Sequence, residues 1–281
     1  MRVLAMLDGT LADPDGRHIR VDDLGLIRGD GIFETILVVD GKPRELGPHL
    51  DRLAHSAAML ELPPLDRAAW ERCVRAVLDA WQGGSEMALK LVYTRGPEFG
   101  DGTPTGFALG LPIGEKTLRN RETGVRAVTL DRGYEPEIVA RAPWLLLGAK
   151  SLSYAVNMAA IRYAEAHDAE EAIFVAADGS VLEGPTSTVV IAQGRTLRTT
   201  PPSSGVLRGT TQGALFRAAE QAGWVTKVEP LAVAELAEAD GLFLASSVRK
   251  ITRVHTLDGV ALPDATRLHG ELNALYESEY R

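Results

Sequence analysis

Cysteine and lysine are the scarce residues of this chain. With Cys73 as the single cysteine in 281 residues, no internal disulfide can form, and stability has to come from a packed core. Only six of the 30 basic residues are lysine (Lys42, Lys90, Lys116, Lys150, Lys227 and Lys250), so chemistry that needs an amine has few candidates. An excess of positive charge is also missing: 38 acidic residues against 30 basic ones give a net charge of −8, which repels phosphate backbones and anionic lipid and predicts neither a nucleic-acid nor a membrane partner. The opening MRVLAMLDGT lacks the long apolar stretch of a signal peptide or membrane span, and the expected location is the cytoplasm. Six histidines (His18, His49, His55, His167, His255 and His269) fall in no ligand spacing, so no catalytic metal is expected.

What is present is the composition of a globular protein, 45% hydrophobic and 24% charged, in a length that suits one large domain or two modest ones. Asp-Gly pairs at Asp8-Gly9, Asp40-Gly41, Asp178-Gly179 and Asp258-Gly259 separate apolar runs and predict hairpin turns. Residues 86–93 alternate Met87, Leu89, Leu91 and Tyr93 on one face of a strand, and 105–111 reads as its neighbour. Apolar positions at helical spacing (Trp70, Cys73, Val74, Val77, Leu78, Trp81), bounded by Asp66 and Gly83, predict a helix over 66–81, and a second helix is expected over 48–60. The stretch 111–123 breaks periodicity and reads as a linker. Beyond it come a strand at 125–130, helices near 153–166, 209–222 and 232–238, and strands near 171–176, 187–192, 224–228 and 241–246. Without strict βαβ alternation the class is α+β, with domains at 1–113 and 124–281 joined by a linker at 114–123.

Several residues could carry chemistry. Lys150, in WLLLGAKSLSY, follows four apolar residues; it either snorkels to water or is a desolvated amine able to attack a carbonyl or shuttle a proton. Glu183, between Val181-Leu182 and Gly184-Pro185, is an exposed strand-end carboxylate or a buried one of the kind that keeps a pyridinium nitrogen protonated. Gly209-Thr210-Thr211 opens a helix, where amides and hydroxyls make either a phosphate cradle or an ordinary cap. Ser246-Ser247 ends an apolar strand, and Arg52 in HLDRL is either a solvated helix arginine or one whose fork geometry takes a phosphate. RGDGIFET around Asp30 lacks the third glycine and the helix of a dinucleotide loop. Ser247-Val248-Arg249-Lys250 fits the S-x-x-K of penicillin-recognising serine enzymes, but the companion motifs and a G-x-S-x-G elbow are absent.

Taken in order, RGDGIFET (28–35), HLDRL (49–53), AKSLSY (149–154), LEGPTST (182–188), LRGTT (207–211) and ASSVRKIT (245–252) resemble the fold-type IV pyridoxal-phosphate enzymes: branched-chain aminotransferases, D-amino-acid aminotransferases and aminodeoxychorismate lyases. The resemblance spans nearly the whole chain. It implies a small N-terminal α+β domain, a larger C-terminal pseudo-barrel domain, pyridoxal 5′-phosphate between them and a homodimer. It also implies that Lys150 bonds the cofactor and moves the proton, that Glu183 partners the pyridine nitrogen, and that Arg52, Gly209, Thr210, Thr211 and Ser247 hold the phosphate. Leu207 is then the leucine on the ring face, Tyr154 the tyrosine near the phenolic oxygen, and Phe33 a substrate-facing residue; because a lyase site must admit a cyclic dicarboxylate, Arg95 and Arg249 either line its mouth or are solvated surface arginines. Thr188 and Arg253 depart from the asparagine and proline usual in the family.

The reaction is left between two alternatives. The Arg-x-His carboxylate trap of the D-amino-acid enzymes is missing after Arg95, and KSLSYAVN is similar to the lyases' KSLNY-x-x-N, keeping Tyr154 and Asn157 with Ser153 replacing an asparagine. That favours conversion of 4-amino-4-deoxychorismate to 4-aminobenzoate and pyruvate. The alternative is transamination of D- or branched-chain L-amino acids with 2-oxoglutarate, which uses the same core motifs.

Overall fold

The computed structural model describes residues 1–280, and Arg281, the last residue of the predicted second domain, lies outside them. The chain is α+β and divides into two units. Unit 1 comprises Met1–Gly114 and the short segment Ala149–Tyr154, and unit 2 comprises Glu115–Gly148 and residues 155–280.

Unit 1 is built from β1 (Val3–Met6), β2 (Leu11–Ala12), α1 (Leu24–Arg28), β3 (Gly31–Val39), β4 (Lys42–Pro43), α2 (Leu46–Met59), α3 (Arg67–Ala80), β5 (Glu86–Thr94) and β6 (Thr105–Leu111). Its antiparallel sheet runs β2-β1-β6-β5-β3-β4. Asp40 and Gly41 both take positive φ (48° and 72°), the type I′ geometry that lets β3 fold back on β4. The alternation in β5 is realised, with Met87, Leu89, Leu91 and Tyr93 all buried. In α3 the Asp66 carboxylate accepts from Ala69 N–H at 3.1 Å, and the helical stripe buries Trp70, Cys73, Val74 and Val77. Burial of such side chains contributes about 1.5–3 kcal/mol each.

Unit 2 contains α4 (Glu115–Thr123), β7 (Val125–Asp131), α5 (Ile138–Arg141), α6 (Ala155–Ala166), β8 (Glu171–Val175), β9 (Thr188–Gln193), β10 (Thr196–Thr199), α7 (Thr210–Gln221), β11 (Val225–Val228), α8 (Val233–Glu238), β12 (Gly241–Ser246), β13 (Lys250–Leu257), β14 (Val260–Ala261) and α9 (Thr266–Ser278). Its mixed eight-stranded sheet is ordered β11-β10-β9-β12-β13-β7-β8, with β14 hydrogen-bonded to β13. One face of the central strands packs Val190, Ala192, Phe243 and Ala245 against α7 and α9; the other packs Val189, Ile191, Leu242 and Leu244 with Leu236 of α8. The two faces explain why β9 and β12 are buried along nearly their whole length.

Two features differ from the sequence expectation. The stretch taken for a linker is helix α4, with Glu115 in its first turn, Arg121 in its last and only Asn120 buried. Residues 149–154, placed by sequence in the second domain, belong to unit 1. This strap docks on the free edge of β3: Phe33 N–H donates to Lys150 O at 3.0 Å, Leu152 N–H to Gly31 O at 2.8 Å, and Lys150 N–H to Ser56 Oγ of α2 at 3.0 Å.

Candidate active site

The glycines of RGDGIFET exist for the strap. A Cβ on Gly31 would lie 2.8 Å from Leu152 Cδ1 and from Tyr93 O, and one on Gly29, already at φ 69°, would meet Ser153 Oγ at 2.6 Å. Asp30, between them, pairs with Arg95. The strap therefore lies tight against the start of β3, and Lys150 is set beside Phe33, with Nζ 4.6 Å from the Phe33 ring centre and 5.9 Å from that of Tyr154. The two rings meet edge to face at 5.2 Å. The aromatic pair supplies the apolar surroundings expected from WLLL, of which Trp144 is instead 74% exposed.

Side chains alternate along β3, so Glu34 points away from Phe33 and is fully buried. Arg52 grips it with both prongs, Nε to Oε1 at 2.6 Å and Nη2 to Oε2 at 2.7 Å, and His49 Nδ1 lies 2.7 Å from Oε2. Burial alone would raise the Glu34 carboxyl, but the charge and hydrogen bonds of Arg52, with those of His49, outweigh it and hold Glu34 well below the usual carboxylate range. Burial likewise pushes the His49 imidazole below its ordinary value, against the pull of Glu34. A neutral His49 donating to an ionised Glu34 satisfies both directions. Glu34, His49 and Ser56 were not singled out from sequence; the only signal was the His49/Arg52 spacing, which puts both on one helix face.

In unit 2, Glu183 sits beyond β8, its carbonyl accepting from Phe174 N–H at 2.8 Å and its Oε2 accepting from Leu207 N–H at 3.0 Å. This bond ties the carboxylate to the leucine expected on the cofactor's ring. Burial and the nearby Glu183 charge push the Tyr134 hydroxyl up to about 12, keeping it protonated. Gly209 is the N-cap of α7, and a Cβ there would lie 2.3 Å from Thr188 Oγ1, so only glycine admits the Thr188 side chain. Thr210 and Thr211 are buried in the first turn, where amide N–H groups lack helical partners and favour an anion. Ser247 follows β12 in the turn to β13.

The two arginines expected near substrate carboxylates are engaged within the fold. Four donors of Arg95 go to Asp30 (2.6 and 3.2 Å), Leu60 O (2.7 Å) and Glu61 O (3.2 Å). Arg249 pairs with buried Glu171 and donates to Thr186 Oγ1 at 2.7 Å. Each is drawn to a nearby carboxylate.

A scarce amine against aromatic rings, a carboxylate pinned by a backbone N–H, and a helix start carrying two buried hydroxyls beside a glycine with no room for a Cβ are a donor set that fits pyridoxal phosphate. The class is that of a pyridoxal-phosphate enzyme. The family profile for amino-transferase class IV matches residues 31–257, and the chain belongs to that family, whose fold-type IV members use this cofactor. It is 44% identical, over 93% of both chains, to the bifunctional aminodeoxychorismate lyase / D-amino acid transaminase of Mycobacterium tuberculosis. A hypothetical aminotransferase from the same organism, solved with the cofactor bound, superposes with a TM-score of 0.95 at 42% identity over all of both chains. The 4-amino-4-deoxychorismate lyase of Pseudomonas aeruginosa gives 0.77 at 27% identity over 96% of this chain and 97% of that one.

Proposed function

We propose that the protein is an aminodeoxychorismate lyase, releasing 4-aminobenzoate and pyruvate, with slower transamination of D-amino acids as a second activity. The observation that carries this reading is the 44% identity, spread over nearly the whole chain, to a protein named for both reactions. Two local features support it. KSLSYAVN keeps the lyase-like Tyr154 and Asn157, the latter donating to Pro185 O at 2.7 Å, and Arg95, at the start of the stretch where a D-amino-acid enzyme has its trap, is held by Asp30.

Lys150, Glu183, Leu207, Gly209, Thr210, Thr211 and Ser247, with Arg52, are the residues that would hold the cofactor. When bound, pyridoxal phosphate supplies an electron sink for the carbon bearing the substrate's amine. Glu183, whose Oε2 accepts from Leu207 N–H, would keep a proton on the pyridine nitrogen. Phe33 and Tyr154 exclude water from the Lys150 amine, which as a base takes the proton from C4 of the substrate ring. Loss of that proton and of the enolpyruvyl group, which departs as pyruvate, aromatises the ring, so the products together hold every atom of the substrate. In transamination the same amine takes the Cα proton of the amino acid. Glu34 and His49 fix the angle of Arg52. The working unit on this reading is a homodimer, which sedimentation of the purified protein checks.

Parallel assays decide the reaction. Aminodeoxychorismate should give 4-aminobenzoate and pyruvate in equal amounts, faster than D-alanine reacts with 2-oxoglutarate, and L-leucine should be the poorest donor. Efficient turnover of either amino acid with no 4-aminobenzoate would replace the lyase by the aminotransferase alternative.

A further inference from the structure

The turn from Ser246 to Arg249 is tied down more firmly than a surface turn needs. Arg249 Nη1 pairs with Glu171 Oε1, the two side chains being 12% and 4% exposed. Its Nη2 donates to Thr186 Oγ1 at 2.7 Å, and its Nε lies 3.4 Å from Ser246 Oγ. From the other side Arg121 of α4 donates twice to Val248 O, at 2.8 and 2.5 Å. Ser247 stands between these anchors. Thr186 is three residues after Glu183, so one guanidinium joins the turn carrying Ser247 to the loop that leaves Glu183, and both to the first residue of β8.

As a stabilising device this pair is poor. Desolvation offsets most of the attraction of a buried ion pair, and the second Glu171 oxygen is buried with no hydrogen-bond partner among the described residues. What a planar guanidinium does supply is direction, because its donors leave at fixed angles.

We propose that Arg249 and Glu171 are positioning residues: their buried pair, with the bond to Thr186, sets the Ser246–Val248 turn so that the Ser247 hydroxyl meets the cofactor phosphate. The inference rests on the assignment of Ser247, Thr210 and Thr211 to that phosphate and does not depend on which reaction the enzyme runs.

The test compares two ligands on the full-length protein freed of cofactor: pyridoxal phosphate and pyridoxal, which lacks the phosphate, titrated by absorbance and fluorescence. For Arg249→Lys and for the double change Glu171→Met, Arg249→Met, the dissociation constant for pyridoxal phosphate should rise about tenfold or more, the scale of one charge-assisted hydrogen bond, while that for pyridoxal moves less than about twofold. Thr186→Val, which leaves the ion pair in place, should give a smaller change of the same phosphate-specific kind and covers the case in which the double variant does not fold. Parallel weakening of both ligands, or no weakening of either, in folded variants overturns the positioning role. Ser247→Ala separates the two levels: if it weakens the phosphate ligand selectively while the Arg249 variants do not, the inference alone fails, and if it changes nothing, the phosphate assignment fails with it.

Discussion

On the proposed reading, the chemistry turns on Lys150 and Glu183. Lys150→Ala should leave the protein folded but without a covalent cofactor, and lower turnover by roughly 10²–10⁴-fold, the range of a positioned acid–base group; absorbance of the purified variant and steady-state kinetics check both. Glu183→Gln should still bind the cofactor yet turn over about 100-fold more slowly, since an amide does not hold the pyridinium proton. Wild-type turnover in that variant would make Glu183 a strand-end residue only. The buried Glu34–His49–Arg52 group gives a pH prediction. Glu34 has a depressed folded value, so its contribution to stability is present above the ordinary carboxylate range and is lost as pH falls through its folded value. His49 is also depressed, so as pH falls through about 6.5 the unfolded chain takes up the proton first and stability drops. Chemical denaturation at pH 7.5 and 5.5 should show a smaller stability gap in His49→Asn than in wild type; an equal gap would contradict a neutral buried His49.

Among the elements, the strap 149–154 is the one the site depends on. Gly31→Ala puts a Cβ 2.8 Å from Tyr93 O and 3.0 Å from Thr94 Cα, backbone of β5 that cannot swing aside. Overpacking of this kind costs about 1–3 kcal/mol, and the strap should lift from β3, carrying Lys150 with it. The melting temperature and the fraction of covalently held cofactor should fall together; a stable variant with full cofactor loading would show that the close approach is not required. Elements with a regular apolar stripe were legible from sequence: α3, β5 and α7 lie within a residue of their expected spans. Helix α4 was not, because EKTLRNRET buries only Asn120 and presents no stripe to read. Strand β13 escaped for a related reason: Arg253, His255 and Thr256 interrupt its apolar pattern, while its pairing with β12 and β7 holds it in place. The strap has six residues and no periodicity, and only its backbone bonds to Gly31 and Phe33 reveal where it belongs.

At the scale of the whole chain, the ordered motifs pointed to the family because short local patterns encode a lysine, a strand-end glutamate and a helix start. What they did not encode is which distant side chains meet. Glu34 and Arg52 are 18 residues apart, and Glu171 and Arg249 are 78 apart, so neither pairing shows in the sequence. Among the described residues no helix is long and apolar enough to cross a membrane. The central claim, that Lys150 is the cofactor-bearing amine, is tested most directly by reducing the cofactor-loaded protein with borohydride and mapping its peptides by mass spectrometry. The account predicts one phosphopyridoxyl group per chain, on the peptide containing Lys150 and on none of the other five lysines. A label on another lysine, or a protein that takes up pyridoxal phosphate without any reducible bond to Lys150, would contradict it.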